Sequence, residues 1–394
     1  MSSSPFPLFC LQKDGDNQVK RILFYESRPE WGGAQKCELD LLISLENEGL
    51  ETFFVTSTEG PMNKRITATG KEVTMIPVNQ TVNQVRKGQV KPGIFFLFCQ
   101  LLNMLPHLFN VISYIIRKRI DIVYTSQFRS QLIIGWVAKL LGRKVIWHIH
   151  GEEQLNNLLG KVGIAAADKI IVVSHAFLNT YRALYPKQKS KFITVHNGVE
   201  LTALTSKKSN PVFTISMVGT LIEGKRQDLA ISACAALMKQ GLNIHLNIIG
   251  EKPPWLPNDY IHSLQELVHH HQIAETVSFL GWMENPWELL GTSDVLILPS
   301  DTEGMPLSII EAMALGLPTI ATNVGGIPEL IDDGKTGFVI PKGSAQELAA
   351  KLKVLYDQPF LKERLGQQAR KRYEAHFTKT SFIKGVAGVI RTVS

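Results

Sequence analysis

"DVLILPSDTEGMPLSIIEAMALGLPTIAT", Asp294 to Thr322, sets two short apolar runs on either side of a helix-length segment. "DVLILP" and "PTIAT" show no polar alternation, which is how strands buried on both faces read. Between them Pro306 suits a first helical turn, and the apolar run "LSIIEAMAL" follows it. Strand, helix, strand over this span is the parallel crossover unit. Two glutamates, Glu303 and Glu311, and two later glycines, Gly325 and Gly326, surround the helix. A buried helix does not need them. A ligand rich in hydroxyls and phosphates does.

The same alternation runs outward through the chain. Strand-like runs are "RILFY" (Arg21–Tyr25), "TFFVT" (Thr52–Thr56), "DIVYT" (Asp121–Thr125), "KVIWHIH" (Lys144–His150) and "KIIVVS" (Lys169–Ser174). They continue with "FTISMV" (Phe213–Val218), "HLNIIG" (His245–Gly250) and "TVSFLG" (Thr276–Gly281). Helical stretches such as Asp228–Lys239 and Leu348–Tyr356 separate them. The fold class is α/β, with parallel sheets covered on both faces. At 394 residues the chain exceeds what one core usually serves, so two domains are expected. The polar, aperiodic "LTALTSKKSNP" (Leu201–Pro211) marks the boundary. The expected division is a loose tail over 1–18, one Rossmann-like domain over 19–203 and a second over 211–379. The closing segment 380–394 packs back onto the first. Ligands of such sheets sit beyond the carboxyl ends of the strands, so the cleft between the domains is the expected site.

A formal net charge of +7 suits a phosphorylated substrate or contact with anionic headgroups, and is too scattered for nucleic acid. Cys10, Cys37, Cys99 and Cys234 form no CxxC pair, so neither a zinc ribbon nor a disulfide framework is indicated, and a reducing cytosol fits. The N-terminus has no basic region ahead of its short apolar stretch, unlike a signal peptide. The apolar segment Gly93–Ile116 is flanked by Arg86, Lys87, Lys91, Arg117, Lys118 and Arg119 and interrupted by Gln100, Asn103, Pro106, His107 and Asn110. It reads as one or two core or surface helices. A patch resting on a membrane is the other reading, and a full span is disfavoured by the interruptions.

Around Gly304, Met305, Pro306 and Leu307 the backbone N–H groups at the helix start make an anion site. Glu303 and Glu311 beside it are acceptors for vicinal sugar hydroxyls, with helix capping as the alternative. Gly325 and Gly326 allow a second permissive turn.

These residues carry a resemblance. "EGMPLSIIEAMALGLPTIATNVGGIPELI" resembles the donor-binding signature of the retaining glycosyltransferases of family 4, which have the GT-B fold. "WGGAQKCELDLLISLENEG" (Trp31–Gly49), "HIHG" (His148–Gly151), "VSH" (Val173–His175), "HNGVE" (His196–Glu200), "MVGTLIEGKRQDLAI" (Met217–Ile231) and "YEAHFT" (Tyr373–Thr378) are similar to its other landmarks, in order. The resemblance implies two Rossmann-like domains whose parallel sheets face across a cleft, and a nucleotide-sugar donor held mainly by the C-terminal one. It implies that Glu311 holds the ribose hydroxyls, that Glu303 contacts the donor sugar, and that backbone from Gly304 to Leu307 meets sugar and diphosphate. Lys225 neutralises the leaving group. Gly32 and Gly33 form a loop against diphosphate or acceptor, and His150 reaches the sugar at the reaction centre, with His148 competing for that role. Asn197 and Gly198 shape a turn near the cleft. The chain departs from the pattern at Thr220, where the family usually has an arginine; Arg226 either compensates or points to solvent.

The resemblance thus implies transfer of a sugar, with retention, from a UDP- or GDP-type donor to a glycan or lipid-linked acceptor in cell-surface glycan or glycolipid synthesis. No metal or other cofactor is expected, because cations and helix dipoles can replace a divalent ion. "DGD" (Asp14–Asp16) reads as a turn and His269–His271 as a helix end. Two rival classes are an epimerase of the same scaffold, which turns over donor without acceptor, and a non-catalytic nucleotide-sugar-binding partner. A Rossmann dehydrogenase is disfavoured by the missing G-x-G-x-x-G.

Overall fold

The structure is a computed structural model and describes residues 19–79, 94–201, 212–254 and 256–393. Two wholly parallel sheets carry the chain. The first has seven strands: β1 (Lys20–Glu26), β2 (Leu50–Thr56), β3 (Val73–Met75), β4 (Ile122–Thr125), β5 (Lys144–Ile149), β6 (Lys169–Val172) and β7 (Phe192–Thr194), in spatial order 3-2-1-4-5-6-7. The second has six: β8 (Phe213–Val218), β9 (Ile244–Ile249), β10 (Val277–Phe279), β11 (Val295–Leu298), β12 (Thr319–Thr322) and β13 (Gly337–Ile340), in order 10-9-8-11-12-13. Each order reverses once, between β1 and β4 and between β8 and β11. Those crevices are where doubly wound sheets bind ligands.

Continuous apolar runs become central strands because both faces are covered. The first sheet is packed between two clusters, one holding Ile22, Phe24, Leu41 and Tyr124, the other Leu23, Tyr25, Val55 and Val123. Alternate residues of one strand serve opposite faces, as the period of two requires. The closing helix Lys379–Thr392 adds Phe382, Ile383, Val386 and Ile390 to the first of these clusters, so the chain's last element belongs to the core of the first sheet. A third cluster joins the two halves, with Trp147, Val172 and Val173 touching the surroundings of Met305, Ile309 and Ile327.

The apolar segment after residue 93 forms one helix, Ile94–Arg117, with Pro106 inside it on an exposed face. His107 explains one polar interruption. It is buried, its Nε2 lies 2.8 Å from Tyr25 Oη and its Nδ1 2.9 Å from the Ile76 carbonyl, which ties the helix to the sheet. Burial pushes its pKa down. Among the described residues no helix is long and apolar enough to cross a membrane. The Asp14–Asp16 turn, Arg86, Lys87, Lys91 and most of the Leu201–Pro211 boundary lie outside the described residues.

Candidate functional site

The site is built at the end of β11. The helix after it begins at Leu307 with Pro306 as its N-cap, and no side chain caps it. Glutamate capping is therefore not what the carboxylates do. Ile309, Ile310, Ala312 and Met313 anchor the helix in the core, which leaves its first turn turned to the cleft. Glu303 is nearly enclosed, its side chain 7% exposed, and its Oε1 accepts from Lys225 Nζ and from Ser300 Oγ, each at 2.7 Å. Ser300 thus fixes the carboxylate and Lys225 neutralises it.

Gly325 and Gly326 serve this turn by proximity. Gly325 has φ +50°, and a Cβ there would lie 1.7 Å from the Glu303 carbonyl oxygen. Gly326 N donates to the Gly304 carbonyl at 2.9 Å. Gly304 itself meets the other domain, because its Cβ would sit 2.1 Å from the His150 carbonyl. Met305 is buried, and its carbonyl accepts from Asn197 Nδ2 at 2.9 Å. Asn197 therefore grips the donor-side loop in addition to shaping its own turn.

Lys225 ends a short turn, Glu223–Lys225, after β8, and its stem lies along Gly219. Thr220 is exposed at the end of that strand and offers its carbonyl to Gln227. Arg226 takes a left-handed φ of +60°. Its guanidinium contacts Asp228 at 2.9 Å and Asp301 at 3.4 Å, and the Asp228 hydrogen bond heads the causes that push its pKa up. Two carboxylates hold it, so it does not point to open solvent.

From the first domain, Gly32 and Gly33 open the helix Gly33–Ser44, with Gly32 as N-cap in extended geometry. A Cβ at Gly33 would lie 3.6 Å from the side chain of Leu307, so the glycine loop rests on the start of the donor-side helix. Three residues on, Lys36 Nζ reaches Glu311 Oε1 at 2.6 Å, with side-chain exposures of 28% and 5%. It also lies over the Trp287 ring at 4.7 Å. Sequence reasoning alone does not single out Lys36. Its position just after the glycine pair is the available signal.

His150 follows β5. Both its ring nitrogens are shut off from solvent and lack partners, and desolvation lowers its pKa to about 4. It is neutral at physiological pH. His148 lies against it, with ring centroids 3.9 Å apart and planes tilted by 34°, but its Nδ1 is held by Tyr124 Oη inside the core. His150 is the one beside Gly304.

Two further clusters are not visible in the sequence. Glu329 accepts at 2.9 Å from each of His175 N and Ala176 N, capping the helix His175–Leu184 from the other domain. His196 Nε2 stands 2.9 Å from the same carboxylate; burial raises the Glu329 pKa, but these partners outweigh it and hold the Glu329 carboxyl below its ordinary value. His175, His196 and Glu329 bring ligand atoms within 4.8 Å of one another, the donor set that fits a divalent cation among the described residues. The carboxylate is already engaged as cap and bridge. At the β1–β4 crevice, Glu26 and Glu38 are fully buried with Ser126 Oγ between them. Burial and the neighbouring Glu38 push Glu26 far up, and burial lifts Glu38 to about 7. Glu26 keeps the proton. A separate hollow of about 540 Å³, lined by Asn323, Asp332, Asp333 and Arg372 among others, contains none of the site residues.

Two Rossmann-like parallel sheets facing across a cleft are the GT-B architecture. The profile for "Glycosyltransferase Family 4" matches residues 31–203 and that for "Glycosyl transferases group 1" matches 205–372. The chain belongs to this family and is a glycosyltransferase. It is 27% identical over 288 residues to the N-acetyl-alpha-D-glucosaminyl L-malate synthase of Bacillus anthracis, covering 68% of this chain and 73% of that protein. It is 29% identical over 234 residues to the capsular polysaccharide biosynthesis glycosyltransferase CapM of Staphylococcus aureus, covering 58% of this chain and 56% of that one. Among solved structures, that of Anabaena HepE in complex with UDP superposes with a TM-score of 0.77 at 18% identity, covering 94% of this chain and 100% of the other.

Proposed function

We propose that the chain transfers a sugar, with retention and without a metal, from a UDP- or GDP-type donor to a glycan or lipid-linked acceptor in cell-surface polysaccharide or glycolipid synthesis. The observation that carries the proposal is the meeting of two ion pairs, Lys225 with Glu303 and Lys36 with Glu311, around the uncapped start of the helix Leu307–Ala314. A hydroxyl-rich, doubly charged ligand matches that set of groups. The nucleotide complexes of HepE and the biosynthetic roles in the names of the relatives support it.

In this reading the diphosphate faces the N–H groups from Gly304 to Leu307 and the ammonium of Lys225. Fixed donors aimed at a departing phosphate stabilise the transition state without reorganisation. Glu311 takes the ribose hydroxyls and Glu303 those of the sugar. Glu303 then exchanges its bond from Lys225, which frees the lysine for the leaving group. His150, held neutral by burial, has both ring nitrogens enclosed, and offers one to the sugar beside Gly304 once the donor opens the cleft. Gly32 and Gly33 let backbone approach from the acceptor side, and Arg226, tied to Asp228 and Asp301, lines the loop that carries Lys225. Leu102, Leu105, Phe109 and Ile116 stand exposed on the helix Ile94–Arg117, ahead of Arg117, Lys118 and Arg119. That apolar face with a basic end suits peripheral contact with an anionic membrane that presents a lipid-linked acceptor.

The test is an assay of UDP- and GDP-sugars against a panel of glycan and lipid-linked acceptors in EDTA, with NMR of the new anomeric centre. Retained configuration in a transferred product is expected. An inverted centre overturns the reading, as does turnover of donor into an epimer, or binding with no transfer to any acceptor.

A further inference from the structure

The chain carries Thr220 where its resemblance to family 4 places an arginine, so one cation of the usual pair at the diphosphate is missing. Arg226 cannot supply it from where it stands, since Asp228 and Asp301 share its guanidinium. We propose that Lys36 is the second cation: it holds Glu311 before the donor arrives and moves to the diphosphate when the ribose hydroxyls take Glu311. This rests on the proposed nucleotide-sugar site.

Three features carry the inference. Lys36 reaches across the cleft to a carboxylate 275 residues away, and its partner is the glutamate expected to bind ribose. The Glu311 side chain is only 5% exposed, and a carboxylate so enclosed needs a partner. Hydroxyl donors of a ribose can replace the ammonium, so the exchange leaves Glu311 satisfied. Second, the lysine's own backbone is fixed over the right place. Gly33, three residues before it, packs on Leu307, the first residue of the helix whose N–H groups face the cleft. Third, the distance is short. Glu311 lies four residues along from Leu307, which is about 6 Å of helix rise. A lysine stem spans roughly the same length and turns freely about its bonds. Rotation about the stem's bonds would carry the ammonium from Glu311 toward the helix start. Until then the face of Trp287 holds it at 4.7 Å.

The experiment is calorimetric titration of wild type, Lys36→Ala and Lys36→Arg with UDP and UMP, and with GDP and GMP. If Lys36 meets the second phosphate, Lys36→Ala weakens the diphosphate by about 10- to 100-fold, the range for one charge-assisted hydrogen bond. It changes the monophosphate by less than about threefold, and Lys36→Arg keeps most of the diphosphate affinity. An equal loss on both overturns the proposal, because it assigns Lys36 to ordering Glu311 or the fold. No loss on either overturns it as well. Wild type that binds no nucleotide at all removes the donor-site reading and this proposal together, and that result is told apart from the others before any variant is made.

Discussion

Glu38→Gln should make folding less sensitive to alkali. Glu26 and Glu38 are both fully buried at the end of β1 and in the helix Gly33–Ser44, with Ser126 between them. Burial lifts Glu38 from 4.5 to about 7. A carboxyl raised on folding contributes stability that is complete below its unfolded value and is lost as pH climbs through the folded one. Integrating the proton release of Glu38 alone between pH 5 and 8 gives a loss on the order of 2–3 kcal/mol for the wild type. The glutamine variant has no such proton to lose, and its amide keeps the size of the side chain and a donor for Glu26. Urea unfolding at pH 5, 6.5 and 8, followed by circular dichroism, measures the difference. The two proteins should be similar at pH 5, and the variant more stable by roughly 2–3 kcal/mol at pH 8. A variant that loses as much stability as the wild type over this interval would refute the assignment of that loss to the buried Glu38 carboxyl.

Other substitutions test other parts of the site. Lys225→Ala should lower kcat by about 10²- to 10³-fold, the range for loss of one preorganised donor; unchanged turnover at saturating donor removes Lys225 from the chemistry. Gly325→Ala places a Cβ against the Glu303 carbonyl at a left-handed φ, and should cost about 1–3 kcal/mol in melting experiments together with donor binding. Gly334→Ala, also at positive φ but with open space around it, should cost stability alone. Glu329→Ala removes the acceptor for His175 N and Ala176 N at the start of the helix His175–Leu184, which keeps Ser174 as its N-cap, and the partner of His196; it should destabilise by about 1–2 kcal/mol. A loss under about 0.5 kcal/mol would mean that the contact between domains carries no weight.

Most of the architecture is legible in the sequence because the central strands are continuous apolar runs between helices. The strands that the sequence does not mark are β3, β7 and β13, three of the four sheet edges. "VTM", "FIT" and "GFVI" are short and paired on one side only, so they need little apolar run to form. Pro106 reads as a possible break. It is tolerated because it sits on an exposed face of a helix whose opposite side, at His107 and Val111, is anchored in the core. On the site, Glu303, Glu311 and the helix start at Leu307 can be read locally, because strand, turn and helix lie within a few residues. Lys36 and Glu329 cannot. Their partners are 275 residues away and in the other domain, respectively, and no periodicity in sequence announces a pair that forms only when two sheets meet. Glu26 and Glu38 are hidden for a related reason. One ends a strand and the other lies on a helix, and each alone reads as an ordinary surface carboxylate.

The central claim is that the C-terminal sheet presents a nucleotide-sugar site centred on Glu311 and the turn before it. The most direct measurement is calorimetric titration of the protein with UDP, GDP and ADP, repeated with Glu311→Ala. The account predicts selective binding of one nucleotide, weakened about 10- to 100-fold by the substitution, as expected for loss of hydrogen bonds to a charged acceptor. Binding by a correctly folded protein that Glu311→Ala leaves unchanged, or no binding of any of the three, would contradict it.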